Sequence, residues 1–108
     1  MVRTRLTIDT KKINNTLLSI SQKLKANCKI MMVVKANAYG LGMIPLVKHL
    51  NLDLIHSFAV ATFQEGQTLR PYVGSKPILV LCEPSREDLE KVMESSLSPI
   101  VYSLEGIQ

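Results

Sequence analysis

Cysteine is scarce in this sequence: Cys28 and Cys82 stand far apart and belong to no CxxC pair, so neither a zinc site nor a disulfide framework is expected. Reduced thiols in a cytosol fit that usage. The two histidines, His49 and His56, have no clustered carboxylate or thiol beside them, which argues against a metal centre. No apolar run is long enough to cross a bilayer, and the opening "MVRTRLTIDTKK" contains no apolar core of the signal-peptide kind. Neither a membrane anchor nor a secretory signal is expected, and a cytoplasmic location is the default. Repeats, linkers and low-complexity segments are also absent. Five glycines, five prolines, 46% hydrophobic and 20% charged residues exclude a disordered chain and place it in the ordinary globular class.

What is present in 108 residues suffices for one small domain, residues 1–108, with a modest core. The formal charge of +4 arises from 13 Lys and Arg against 9 Asp and Glu. Without any binding motif, that excess reads as a solvated helix face rather than a nucleic-acid surface.

Hydrophobic spacing divides the chain into alternating strands and helices. Thr4 to Ile8 alternates like a short strand, and Asp9 or Thr10 can cap a helix through Leu24 whose apolar stripe is Ile13, Leu17, Ile20 and Leu24. Ile30 to Val34 is an unbroken apolar run, the pattern of a strand buried on both faces. After the turn "NAYGLG", the stretch "MIPLVKHL" predicts a helix with Pro45 in its first turn. Phe58–Ala61 is the next strand. The following "TFQEGQTLRPYV" has helical spacing, weakened by Gly66 and ended by Pro71. Ile78–Leu81 is a further buried strand, and Ser85 with Asp88 resembles a capping box opening the helix "REDLEKVMESS". Ile100–Tyr102 makes a last strand before a helix begins at "SLEGIQ". Such alternation implies parallel strands with helices outside them. The expected fold is α/β, a partial (β/α)8 barrel holding roughly its first half.

The stretch "VVKANAYGLG" ends a strand on Lys35. The C-terminal ends of parallel strands open into the mouth of an α/β fold, where catalytic groups gather. Burial beside an apolar strand disfavours an ammonium and frees an amine to attack a carbonyl, so Schiff-base chemistry is the functional reading. The small residues after Lys35 let a ligand approach the backbone, and Tyr39 offers a phenol to a phosphate oxygen. On spacing alone the alternative stays open: a strand-end lysine also reaches solvent or pairs with a carboxylate. Glu65 and Arg70, five apart after a strand, could bear on the site but read most simply as a surface or strand-end ion pair, and the five methionines as core fillers.

"VVKANAYGLG" closely resembles the cofactor-lysine signature of alanine racemases, pyridoxal-phosphate barrel enzymes in which that segment commonly reads VVKANAYGHG. The likeness extends in order along the chain. "LTIDTKKINNTLLSI" is similar to the family's opening strand and first helix, "FAVATFQEGQTLR" to its second strand and following helix, and "PILVL" to its third strand. The resemblance implies interconversion of L- and D-alanine, supplying D-alanine for the bacterial cell wall, with pyridoxal 5'-phosphate as cofactor. It assigns Lys35 as the lysine that forms the Schiff base and as one acid–base group, Tyr39 as a phosphate contact, and Leu81, which read in isolation is a core leucine, as a residue packed near the cofactor ring. A homodimer is implied too, because the family's second acid–base group is a tyrosine from the partner subunit's C-terminal domain. That tyrosine has no counterpart in this sequence, so the 108-residue chain by itself is expected to be inactive. Alanine is the implied substrate, and serine or another small amino acid is the alternative.

Three positions depart from the family pattern: Leu41 replaces a usual His, Thr16 a common Asn and Gly66 a usual Ala. They bear on fine specificity and leave Lys35 and Tyr39 untouched. Two other readings remain: a non-catalytic remnant or pyridoxal-phosphate-binding module completed by another chain, and a related single-domain carrier of the same cofactor.

Overall fold

The computed structural model describes residues 3–107. Helix α1 (Thr10–Lys23) starts where the Asp9 carboxylate accepts the Lys12 N–H at 3.1 Å, a cap for one of the donors left free in a first turn. Strand β1 (Met31–Val33) leads into a short turn of helix α2 (Lys35–Tyr39) and then α3 (Met43–His49). Strand β2 (Ser57–Val60) is followed by α4 (Phe63–Val73), β3 (Ile78–Val80) by α5 (Leu89–Glu94), and β4 (Ser98–Pro99) by α6 (Leu104–Ile107).

The four strands form one parallel sheet in the order β1-β2-β3-β4, with Met32 opposite Phe58, Phe58 opposite Ile78 and Val80 opposite Pro99. Chain order equals spatial order, so every crossover has the same sense. That topology is a partial (β/α)8 barrel.

Alternation along the strands separates two faces. Phe58, Val60, Ile78 and Val80 are fully buried, and with Val34 they meet Leu46 and Val47 of α3, Leu69 and Val73 of α4 and Val92 of α5 in one core. The opposite face carries Met31, Val33 and Leu81, which remain 46%, 38% and 38% exposed. An apolar face of this kind corresponds to the interior of a closed barrel.

Several elements depart from the sequence expectation. Residues 4–8 form no strand: they find no neighbour to pair with, and Thr4 to Thr7 stay exposed. In α1 only Leu17 is buried, while Ile20 and Leu24 remain exposed. Helix α4 continues through Pro71 because Leu69 and Val73 on either side of it are docked in the core. Ser85 and Asp88 do bond, Oγ donating to Oδ2 at 2.8 Å and accepting the Asp88 N–H at 3.3 Å. The shorter Asp spends its carboxylate on the Ser85 hydroxyl, and the helix begins only at Leu89. The last strand pairs at Ser98–Pro99 rather than at 100–102, since buried Leu97 anchors the chain one step earlier and Val101 and Tyr102 lie exposed. Pro99 is tolerated there because β4 is an edge strand.

Candidate active site at the C-terminal edge of the sheet

Lys35 follows Val34 at the C-terminal end of β1, where the Val34 N–H still reaches the Ala59 carbonyl at 2.9 Å. It is the first residue of α2, and the Val34 backbone before it (φ −122°, ψ 24°) has already left the extended conformation. The sequence expectation of a lysine enclosed by its strand is thereby corrected: Lys35 stands just past the strand and is half-buried. Leu81 stands at the corresponding end of β3, its N–H donating to the Val60 carbonyl at 2.8 Å. Lys35 and Leu81 therefore lie at the same edge, two strands apart, on the order of 10 Å.

Between Lys35 and Gly40 the backbone turns the wrong way for L-residues. Ala36, Asn37, Ala38 and Tyr39 have φ of 51°, 54°, 56° and 55°, four consecutive non-glycine residues in the left-handed region. Each costs roughly 1 to 2 kcal/mol, so the turn persists only where its surroundings over-determine it. Local bonds close it: the Ala38 N–H donates to the Val34 carbonyl, Gly40 N–H to Ala36, and Gly42 N–H to Asn37, at 2.9, 3.0 and 2.9 Å. Gly40 and Gly42, at φ 88° and 95°, carry the chain out of it. The Asn37 Oδ1 then accepts the Met43 N–H at 2.9 Å, capping α3 from six residues upstream, and Ala38 is buried beneath.

One side chain from a distant element also bonds to the turn. The Glu65 carboxylate accepts the Asn37 N–H on Oε2 at 3.2 Å, and on Oε1 the N–H groups of Ala61 at 3.1 Å and Thr62 at 3.2 Å. Thr62 Oγ1 accepts the Glu65 N–H at 3.1 Å, completing a capping box at the start of α4. The expected Glu65–Arg70 ion pair does not form. Arg70 instead donates to four carbonyls, of Gly74, Lys76, Ser95 and Ser96, at 2.7 to 3.2 Å.

The turn projects Tyr39, 65% exposed, beside an edge carrying one primary amine and one apolar side chain. Among the described residues neither the Lys35 ammonium nor the Tyr39 hydroxyl has a protein hydrogen-bond partner, whereas Glu65 and Arg70 are fully engaged. An amine to bind a carbonyl carbon, a phenol to donate to an anion and a leucine to pack on an aromatic face form a donor set that fits pyridoxal phosphate. Sequence reasoning and the family resemblance pointed to Lys35, Tyr39 and Leu81, gave Glu65 to an ion pair with Arg70, and did not single out Asn37. The signal for Glu65 was the pattern Thr62-x-x-Glu65 immediately after a strand. Asn37 offered only its tolerance of left-handed backbone.

The family described as alanine racemase, N-terminal domain, matches residues 8–108. The alanine racemase of Aquifex aeolicus (strain VF5) is 32% identical over 109 residues, covering 100% of this chain and 32% of that protein. That of Lactococcus lactis subsp. cremoris (strain MG1363) is 34% identical, covering 94% of this chain and 27% of that protein. Among solved structures, alanine racemase from E. faecalis superposes with a TM-score of 0.84 at 29% identity, over 93% of this chain and 27% of that one. The Clostridium difficile 630 enzyme in complex with cycloserine gives 0.74 at 33% identity, over 91% and 26%. The chain spans about a quarter to a third of the length of these relatives. Its parallel half-barrel, its lysine-bearing edge and the match along residues 8–108 agree, and the chain belongs to the alanine racemase family.

Proposed function

We propose that residues 1–108 form the lysine-bearing portion of a pyridoxal-phosphate-dependent amino-acid racemase acting on alanine. The observation that carries this reading is Lys35 at the C-terminal end of β1, followed at once by the left-handed turn that presents Tyr39. Lys35 Nζ would hold the cofactor, the Tyr39 hydroxyl would donate to its phosphate, and Leu81 would pack against its ring. Bound there, pyridoxal phosphate supplies an electron sink for the charge left when an amino acid loses its α-proton.

The role of this chain is to orient and to move a proton on one face. Lys35 Nζ as a free base would take the α-proton on that face or, protonated, return one. Inverting a stereocentre requires a second acid–base group on the opposite face. We assign it to a tyrosine of a partner subunit in a homodimer, so residues 1–108 alone are expected to give negligible turnover. A cytoplasmic site of action and a role in supplying D-alanine for the cell wall belong to the same proposal. Cycloserine in the Clostridium difficile complex and the bound L-Ala-P of the Bacillus anthracis alanine racemase support an amino-acid-like ligand.

The exposed apolar residues Met31, Val33 and Leu81 favour one further reading, a cofactor-binding module completed by another chain. The same experiment bears on both. The purified chain is incubated with pyridoxal phosphate, reduced with borohydride and mapped by peptide mass. Selective labelling of Lys35, lost in Lys35→Ala, is expected; random labelling over the lysines would refute the cofactor assignment. Labelling without alanine racemisation fits either reading, and robust racemisation by the 108-residue chain would overturn the need for a second subunit's tyrosine.

A further inference from the structure

We infer that Glu65 is a positioning residue for this site: its carboxylate locks the Ala36–Tyr39 turn to the end of β2 and thereby sets where Lys35 and Tyr39 stand. The inference rests on the reading of the site given above, and goes beyond it in naming what holds the two side chains.

Four consecutive left-handed, non-glycine residues are unstable in isolation, so something must hold them. Among the described residues, Glu65 is the one side chain from another element that bonds to the turn, reaching across 28 positions of sequence to the Asn37 N–H. Its second oxygen accepts from Ala61 and Thr62, at the end of the strand that neighbours β1. One planar group thus ties three backbone donors from two segments. The carboxylate is half-buried, and bonds from N–H groups to a charged acceptor are stronger than neutral ones.

A capping box needs only Thr62 and Glu65. The bond to Asn37 is additional, and it falls midway between Lys35 and Tyr39. Loss of that bond frees the turn to relax toward ordinary right-handed or extended backbone, which moves the Lys35 amine and the Tyr39 phenol relative to each other. Small misplacements of this kind are what supporting residues around a reactive group prevent.

The capping and positioning roles separate experimentally. In Glu65→Gln the carboxamide oxygen still accepts from Ala61 and Thr62, while its NH2 confronts the Asn37 N–H, donor against donor. In Thr62→Ala the other half of the capping box is lost and the Asn37 contact is kept. Both variants are expected to lower the urea midpoint. Only Glu65→Gln is expected to reduce the preference for Lys35 over the other lysines in the borohydride trapping experiment, by about fivefold, the factor for one net hydrogen bond. Unchanged selectivity in folded Glu65→Gln, or an equal loss in Thr62→Ala, would overturn the inference.

A second readout does not involve the cofactor. Strong intraresidue HN–Hα contacts in NMR spectra report positive φ at Ala36 to Tyr39. They are expected to be kept in Thr62→Ala and weakened in Glu65→Gln; their retention in Glu65→Gln refutes the positioning role even if the parent chain never labels at Lys35. Should Glu65→Gln fail to fold, amide exchange at Asn37 in the parent decides. Slow exchange supports the bond, and exchange at the free-chain rate overturns it.

Discussion

Helix α4 carries one charged residue in its first turn and one of opposite sign in its last, and the two ends of the sheet differ accordingly. At the C-terminal edge Glu65 gathers three N–H groups and holds a strained turn. At the opposite edge Arg70 gathers four carbonyls from the loops before β3 and β4. The chemistry is complementary: an anion satisfies the donors left over at a helix start, and a guanidinium fork satisfies carbonyls left over at loop corners. What each end holds is different. The Arg70 end contains loops and carries no proposed site residue, whereas the Glu65 end fixes a backbone that L-residues avoid and presents Lys35 and Tyr39. In barrels the C-terminal edge serves function and the other edge stability, and here the same division appears along a single helix.

That contrast can be broken at three points. The largest expected effect is Arg70→Ala, which leaves four carbonyls to find water. We expect a loss of about 2 to 4 kcal/mol in urea unfolding with the NMR signature of positive φ at Ala36 to Tyr39 intact. A loss below ~1 kcal/mol, or a perturbed turn, would show that the two ends are not separate in this way.

Ala36→Gly is expected to act in the opposite direction. Ala36 is exposed at φ 51°, so glycine relieves the left-handed penalty while giving part of the gain back to the unfolded chain. A net stabilisation of roughly 0.5 to 1 kcal/mol is expected, read from the urea midpoint. A destabilised Ala36→Gly would mean that the turn is not strained in solution.

An effect of similar size and opposite sign is expected at Gly66, buried in α4 between the two charged residues. A Cβ built there meets the Leu97 side chain at 2.9 Å. Gly66→Ala gains helix propensity of about 1 kcal/mol and spends it on crowding buried Leu97, which costs about 1 to 3 kcal/mol. The expected outcome is a loss of about 1 kcal/mol, reversed when Leu97→Val is added. Full stability in the single variant would show that Leu97 swings aside freely.

Much of this was readable residue by residue. The apolar runs around Met32, Phe58 and Ile78 marked the strands, and the helical spacing of "MIPLVKHL" and "TFQEGQTLRPYV" marked the helices α3 and α4. The run ending in Lys35 marked the edge at which the proposed site lies, and the spacing of strands and helices was enough for a parallel half-barrel. Elsewhere local signals misled. Alternation at 4–8 predicted a strand that has no partner, and Pro71 marked a helix end that the burial of Val73 overrode. The Ser85–Asp88 pattern formed its bonds without starting the helix there.

By itself, then, the sequence determined the order and type of most elements, the place of Lys35 at the end of a strand and the family to which the chain belongs, because periodicity, turn residues and a ten-residue signature are local properties. Only the tertiary structure decided that Asn37 and its neighbours wind left-handedly, that Glu65 reaches them rather than Arg70, and that Met31, Val33 and Leu81 share one exposed face of the sheet. Those outcomes depend on groups brought together from positions 26 or more apart. Backbone strain at one of them is tolerated only because hydrogen bonds from the others are already in place.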